Sequence, residues 1–426
     1  MLIQFNTKNH KSIKNEVSLD LTSTNQKELI NHIANVGYEN ILKFATIFGA
    51  NASGKSNVIN AFEFMLTYVA LSFGFDNDDN DENNEKLENV LKPKPFLFDE
   101  VAQKGSSSYE VFFINQNDSK EKTIQYGFEL DEKGIVNEWL FTKAKSAKEY
   151  STVFFREKNE FEIKKKTLSK YYENLKMSLN DKTLLISLGS KLKIKEFSDI
   201  RTWFIMNELV DFGDPVESYI RQKKMPKSIS HETSNRLEVV EYLNSFTEGI
   251  FKDLSIIETT DEGKEKEYRI ESVHQDSKNH SEVKLPFHEE SCGTQKMFAL
   301  YQPLKDALDK GSVLFIDELN GRLHPLLVRS IIQIFASKDT NPNNAQLIMT
   351  SHDPWLLEGN MLRRDEIWFT EKDANEETDL YSLAEFEDKA GKKIRSDENY
   401  IKNYLVGKYG GIPQLEGLII KGLQNE

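Results

Sequence analysis

Lys55 and Ser56 close the string Gly49-Ala50-Asn51-Ala52-Ser53-Gly54-Lys55-Ser56, in which two glycines are separated by four residues. An apolar, strand-like segment, Phe44 to Phe48, precedes it, and a helix-like one, Asn57 to Thr67, follows. A glycine loop between strand and helix is a phosphate cradle: the backbone curls with its N–H groups inward, and the helix N-terminus adds positive potential. Lys55 would supply the countercharge, and Ser56 a hydroxyl for a Mg²⁺ ion on the terminal phosphates. Asn51, Ala52, Ser53 and Gly54 are then the loop residues that wrap a nucleotide. A glycine turn that merely caps a helix is the plainer alternative, and the flanking strand counts against it.

Two carboxylates supply the rest of the chemistry. Val313-Leu314-Phe315-Ile316 runs without a polar residue into Asp317-Glu318 after a Gly311-Ser312 turn, the pattern of a buried parallel strand with a reactive end. Asp317 is placed to hold the water shell of the metal, and Glu318 to polarise an attacking water as general base. Upstream lies Glu290-Ser291-Cys292-Gly293-Thr294-Gln295-Lys296, leading into a helix-like run, Met297 to Leu308. Downstream, a strand from Gln346 to Met349 ends in Thr350-Ser351-His352-Asp353. Taken singly, a Ser-x-Gly reads as a turn and a strand-end histidine as a satisfied polar residue. Behind a phosphate loop, at these spacings, they read as parts of one engine.

In this order, phosphate loop, serine signature, acidic strand and histidine, the chain resembles ATP-binding-cassette (ABC) type ATPases of the SMC, RecF and overcoming-lysogenization-defect kind. More narrowly, it is similar to the compact AAA-labelled ATPases of bacterial phage-defence and abortive-infection operons, among them the PARIS, AbiL and RloA types. Besides the strings above, the likeness rests on Asn9-His10-Lys11-Ser12-Ile13, Leu323-His324-Pro325 and Gly407-Lys408-Tyr409-Gly410-Gly411-Ile412-Pro413. These are spread over nearly the whole chain.

The resemblance implies an α/β fold: a split, ABC-type P-loop head with an antiparallel β layer and a short helical insertion. It implies ATP and Mg²⁺ as ligands and ATP hydrolysis as the reaction. It places Lys11 near the nucleotide and makes His352 a sensor of the terminal phosphate, acting with Glu318 and Lys55. It also sets Ser291 and Gly293 over the ATP of a second protomer, so that nucleotide holds a homo-oligomer together. Three departures from the wider family stand out. Cys292-Gly293-Thr294 replaces a Gly-Gly-Gln run. No glutamine is assigned to the loop that couples nucleotide to the rest of the protein, for which Gln103, after Pro93 to Asp99, is a candidate. Asn320-Gly321-Arg322 stands where an aspartate often crosses the dimer interface.

Composition bounds the setting. A chain of 426 residues, 38% hydrophobic and 11% aromatic, allows two or three domains with substantial cores. Cys292 is the single cysteine, which excludes an intrachain disulfide and a Cys-rich metal site. No basic-then-apolar leader precedes the first strand, and the longest apolar stretch, around Phe64 to Phe75, is about half the ~20 residues of a membrane span. The expectation is a cytoplasmic protein without a membrane partner. A net charge of −14 weighs against coating nucleic acid. That charge is uneven: Lys143 to Lys195 holds fourteen Lys/Arg against six Asp/Glu, while Asp76 to Glu85 holds six acids and no base. The basic stretch reads as a solvated helical face or as a contact for DNA, RNA or an acidic protein.

Residues 1–165 are expected to form the first half of the head with its β layer, built from short strands between Tyr109 and Lys165. Residues 166–253 form a helical insertion broken at Pro215 and Pro226, and residues 254–426 the second half of the head. The insertion is too short, and too free of heptads, for the long coiled coils of SMC-type proteins. Two functions compete. In one, the ATPase self-assembles and scaffolds or regulates a separate effector, a TOPRIM-type nuclease from the same operon, under a nucleic-acid or phage-protein trigger. In the other, it is a RecF/SMC-like DNA-transacting ATPase of repair or recombination. After His352 the acids lack the separated Glu and Asp-x-Asp pattern of a TOPRIM metal site, so the nuclease is expected in trans.

Overall fold

The structure, a computed structural model, describes residues 1–413 apart from 76–81, 116–120, 215, 218–220, 222–232, 260–266, 279, 359–360, 388–393 and 396–397. Pro215, Pro226 and part of the acidic stretch lie outside the described residues. The fold is mixed α/β, as expected, and among the described residues no helix is long and apolar enough to cross a membrane.

Eighteen strands are described, in four sheets. In chain order they are β1 (Leu2–Lys8), β2 (Val17–Asp20), β3 (Ile33–Val36), β4 (Glu39–Leu42), β5 (Phe44–Gly49), β6 (Ser107–Ile114), β7 (Thr123–Asp131), β8 (Gly134–Lys143) and β9 (Ser151–Glu157). They continue as β10 (Glu160–Ile163), β11 (Glu208–Asp211), β12 (Asp253–Thr259), β13 (Glu267–Gln275), β14 (Glu282–Pro286), β15 (Val313–Asp317), β16 (Gln346–Thr350), β17 (Ile367–Lys372) and β18 (Thr378–Ser382).

The sheet that matters most has the order β11-β15-β16-β5-β17-β18, parallel except for the hairpin β17–β18. Every residue of β5, β15 and β16 is buried. A parallel strand covered on both faces needs apolar residues throughout, which is why these three read as unbroken runs. Alternate residues feed two different cores. Val313 and Phe315 join the core under helix α1 (Lys55–Leu71), where Phe62 stacks on Phe315 at 4.2 Å. Leu314 and Ile316 join the opposite core, with Met297, Leu300, Val328 and Ile331 from two later helices.

Helix α1 is shared, because its Phe62 also meets Phe5 of β1 edge-on at 5.1 Å. That contact belongs to the antiparallel layer, a seven-stranded sheet of order β10-β9-β8-β7-β6-β1-β2. The short strands expected between Tyr109 and Lys165 are β6 to β10, and β1 and β2 complete the sheet. Helix α2 (Glu100–Lys104) precedes β6, helices α3 (Leu185–Lys191) and α4 (Lys195–Met206) come after β10, and Trp203 of α4 stacks on Phe113 of β6 at 3.9 Å.

One element reading is corrected. Residues 166–253, read as a helical insertion broken at two prolines, contain β11, which pairs in parallel with β15 and so belongs to the central sheet. The chain from 253 to 286 holds β12 to β14, which form a separate three-stranded sheet. It shares a small core with α5 (Thr233–Asn244) and with Phe298 and Tyr301 of α6 (Cys292–Lys310). Helix α7 (Pro325–Ala336) begins after His324, whose ring accepts from Leu326 N at 3.2 Å, and has proline in its first turn, where a missing N–H costs nothing.

Candidate nucleotide site

The C-terminal ends of β5, β15 and β16 lie side by side, and the residues expected to do chemistry are on them. At the end of β5 the loop turns through Ala52 (φ 63°) and Gly54 (φ 107°), both left-handed. A Cβ on Gly54 would collide with the Thr378 side chain, and one on Gly49 would stand 2.5 Å from Ser53 Oγ and Thr370 Oγ1. The loop is held from β17 and β18: Ser53 Oγ is 2.6 Å from Thr370 Oγ1, and Thr378 Oγ1 donates to Ser53 O at 2.9 Å. Asn51, Ala52 and Ser56 stay exposed at the mouth. Lys55 donates to Gly49 O (2.9 Å) and Ala50 O (2.8 Å), closing the loop on itself. Burial pushes its ammonium down to about 8, while Asp317 and Glu318 pull the other way.

Asp317 is buried at the end of β15, and its Oδ1 accepts the Thr350 hydroxyl from the end of β16. The same hydroxyl accepts the Glu318 N–H at 2.9 Å. Glu318 itself has a left-handed φ of 54°, and its side chain is half exposed. His352 Nε2 is 3.9 Å from Glu318 Oε1. Burial first, then the Lys55 charge, lowers the His352 pKa against the opposing pull of Glu318 and Asp317, which favours the neutral imidazole. Lys55, Asp317, Glu318 and His352 are therefore neighbours.

Lys11 joins this group from the segment after β1. Its φ is 51°, and its N–H donates to Lys94 O at 2.6 Å. Burial and Lys94 lower its pKa, and Glu63, Asp211 and Asp317 raise it, so its ammonium faces the acidic strand ends. The residues before it are structural. Asn9 Oδ1 accepts Phe96 N at 2.9 Å, while Asn9 Nδ2 donates to Ala102 O at 2.7 Å. His10 is buried between Tyr109 Oη (2.7 Å) and Asn60 Oδ1 (3.1 Å). Desolvation lowers its pKa from 6.5 to about 4. The unfolded chain takes up a proton there near pH 6.5 and the folded chain does not, so stability present above pH 6.5 is lost as pH falls toward 4. Between pH 7 and 5 the loss is about 2 kcal/mol. Urea denaturation at the two pH values, in the parent and in His10→Gln, should show that difference in the parent and a smaller one in the variant.

Asp211 is a functional candidate that sequence reasoning missed. It ends β11 in register with Asp317, and Oδ1 accepts the N–H groups of Gly213 (2.7 Å) and Asp214 (3.0 Å). A Cβ on Gly213 would lie 3.6 Å from Glu318 Cδ. Burial, with Asp317 next, raises the Asp211 pKa. The one available signal was the Val-Asp-Phe-Gly-Asp turn at 210–214. Gln103, the candidate for the coupling loop, is instead on α2, where its amide donates to Leu97 O.

The signature residues are built differently. Ser291 is exposed and caps α6 by accepting Thr294 N at 3.2 Å, and Cys292 beside it is exposed. Among the described residues neither Ser291 nor Gly293 bonds to the loop at 49–56. Their helix is wired to the carboxylate turn through Lys296, whose ammonium donates to Glu318 O and Gly321 O, both at 2.8 Å, and lies 4.2 Å from the Phe212 ring centre. Asn320 Oδ1, in the same turn, is buried without a hydrogen-bond partner among the described residues. From the other side Gly411 packs on the loop: a Cβ on it would be 3.6 Å from Gly49 Cα, and its φ is 64°. Part of the basic stretch is engaged within the chain, with Lys164 3.6 Å from Glu162, Lys165 2.5 Å from Glu196, and Lys170 over the Tyr171 ring.

Among the described residues no cluster of three or more His, Cys, Asp or Glu could hold a metal. Ser56 and Asp317 offer a hydroxyl and a carboxylate, the sparse oxygen set that suits Mg²⁺ completed by water and phosphate.

The family described as "AAA domain, putative AbiEii toxin, Type IV TA system" matches residues 44–358, which span the loop, the signature, the acidic strand and the histidine. No curated protein matches the chain.

Proposed function

Because the chain belongs to this AAA-domain family, whose domain points to nucleotide hydrolysis, we propose that it is an ATPase that self-assembles in ABC fashion and regulates a separate effector in defence against phage. The observation that carries the ATPase reading is the convergence of Lys55, Asp317, Glu318 and His352 on adjacent strand ends. Lys55 exchanges its two loop carbonyls for phosphate oxygens, and the backbone of the loop from Asn51 to Ser56 wraps them. Ser56 and Asp317 would hold Mg²⁺, which when bound neutralises charge on the terminal phosphates. Glu318 takes the proton of the attacking water, and neutral His352 can donate to the terminal phosphate while its other face stays near Glu318. Lys11 adds positive charge from the opposite wall.

The exposed Ser291 cap supports a composite site, since a signature that leaves its own loop alone is available to the loop of another copy. A nuclease in trans fits the tail: Asp365 is engaged by Arg363 at 2.8 Å and Glu366 by His32 at 3.0 Å, so two of its closely spaced acids already have structural partners. A TOPRIM-type nuclease, as in PARIS-type systems, is the effector we favour. The ATPase core is tested by Lys55→Ala. Binding of a fluorescent ATP analogue and phosphate release should both fall to background, and hydrolysis at the parental rate would overturn the assignment.

A further inference from the structure

Beside Lys11, a cavity of about 790 Å³ opens between the segment Lys92–Phe98 and helix α2. Its cationic lining is Lys11, Lys92, Lys94 and Lys104, against one acid, Glu132. In a chain of net charge −14, none of these four lysines forms an ion pair among the described residues, whereas Lys164 and Lys165 of the basic stretch do. The walls are rigid. Pro93 and Pro95 fix φ and press the lysines before them into extended backbone, so Lys92-Pro93-Lys94-Pro95 is a stiff strut. Asn9 clamps both sides at once, bonding Phe96 N on the strut and Ala102 O on α2, while Lys11 N holds Lys94 O.

At the mouth stands Phe98, 72% exposed, with Leu97 beside it at 65%. Phe98 is braced edge-on against buried Phe96, ring centres 5.6 Å apart. A solvent-facing ring held in place in a cleft lined by lysines is the pairing that receives a base on its face and phosphate alongside. The volume suits a nucleotide-sized group. We infer that this cleft is a second nucleotide-type site, distinct from the phosphate loop, which takes a phosphate-linked base: the end of a single-stranded nucleic acid or a free nucleotide. It shares only Lys11 with the proposed ATP site, so occupancy can be felt there.

The test uses the full-length protein carrying Lys55→Ala, which removes nucleotide from the phosphate loop, with and without Lys92→Glu/Lys94→Glu/Lys104→Glu. All three lysines are exposed, and circular dichroism checks folding. Fluorescence anisotropy is measured with a short labelled single-stranded DNA, the same sequence as RNA, and a fluorescent ATP analogue. The expected result is salt-dependent binding of at least one probe before the triple change, about tenfold or more weaker after it, with the slope of log affinity against log salt smaller by about 2 for an oligonucleotide. Phe98→Ala should weaken the same probe several-fold without changing that slope. Binding of the oligonucleotide identifies a strand as the ligand, and binding of the ATP analogue alone identifies a free nucleotide. No binding of any probe, or binding untouched by the triple change, overturns the site. The ATPase reading fails separately, if Lys55→Ala leaves hydrolysis intact.

Discussion

Glu318→Gln should stop turnover while ATP stays bound. Gln keeps the volume and the left-handed backbone that Glu318 already occupies, and Asp317 remains fixed by Thr350, so the residues proposed to hold Mg²⁺ are undisturbed. What is lost is the carboxylate that accepts the proton of water. Removal of a positioned general base costs about a hundredfold to ten-thousandfold in rate. Phosphate release in a single-turnover assay should fall by that factor, with the dissociation constant of a fluorescent ATP analogue changed less than about threefold. Parental turnover would remove Glu318 from the mechanism and direct attention to Asp211, which ends the next strand in register with Asp317.

Ser291→Arg should silence hydrolysis through a different subunit from the one that carries it. Ser291 is exposed, and its hydroxyl accepts Thr294 N from the first turn of α6, so arginine projects outward without filling a core. Binding of ATP by the isolated chain should therefore persist, while a bulky cation at the contact between copies blocks closure. Mixed with Lys55→Ala, the variant should regain part of the activity. One kind of composite site then pairs an intact loop from the Ser291→Arg copy with an intact signature from the Lys55→Ala copy. Light scattering with ATP present should show an oligomer for Glu318→Gln and not for Ser291→Arg. Monomers throughout, or no recovery on mixing, would refute a shared site.

The loop and the acidic strand were legible because their determinants are local. Two glycines, a lysine and a serine must be contiguous to wrap phosphate, and a parallel strand covered on both faces has no room for polar residues. Asp211 was not legible. Its strand, Glu208-Leu209-Val210-Asp211, is four residues long and half charged, and it lies among helices, so neither length nor periodicity marks it. What makes it a strand is pairing with Leu314 to Asp317, a hundred positions on. Gln103 was attractive only as a residue type, and its position on α2 follows from the Asp99 cap that starts that helix. The strands β12 to β14 were visible as strands, but nothing in them says which sheet they join, because edge pairing is decided by tertiary contacts.

The strand that carries the phosphate loop has neighbours from far along the chain: Thr46 pairs with Met349 on one side and Ile367 on the other. When β5 leaves the ribosome, both of its edges are unsatisfied, and they remain so until about three hundred more residues have been made. Until then the nascent chain has α1 and the antiparallel layer to shelter one face of β5 and neither neighbour strand to hydrogen-bond its backbone. Such long-range pairing is slow to form and exposes sticky edges in the interval. The proposed nucleotide site thus waits for β16 and β17, and an interrupted translation product that lacks them would not form it.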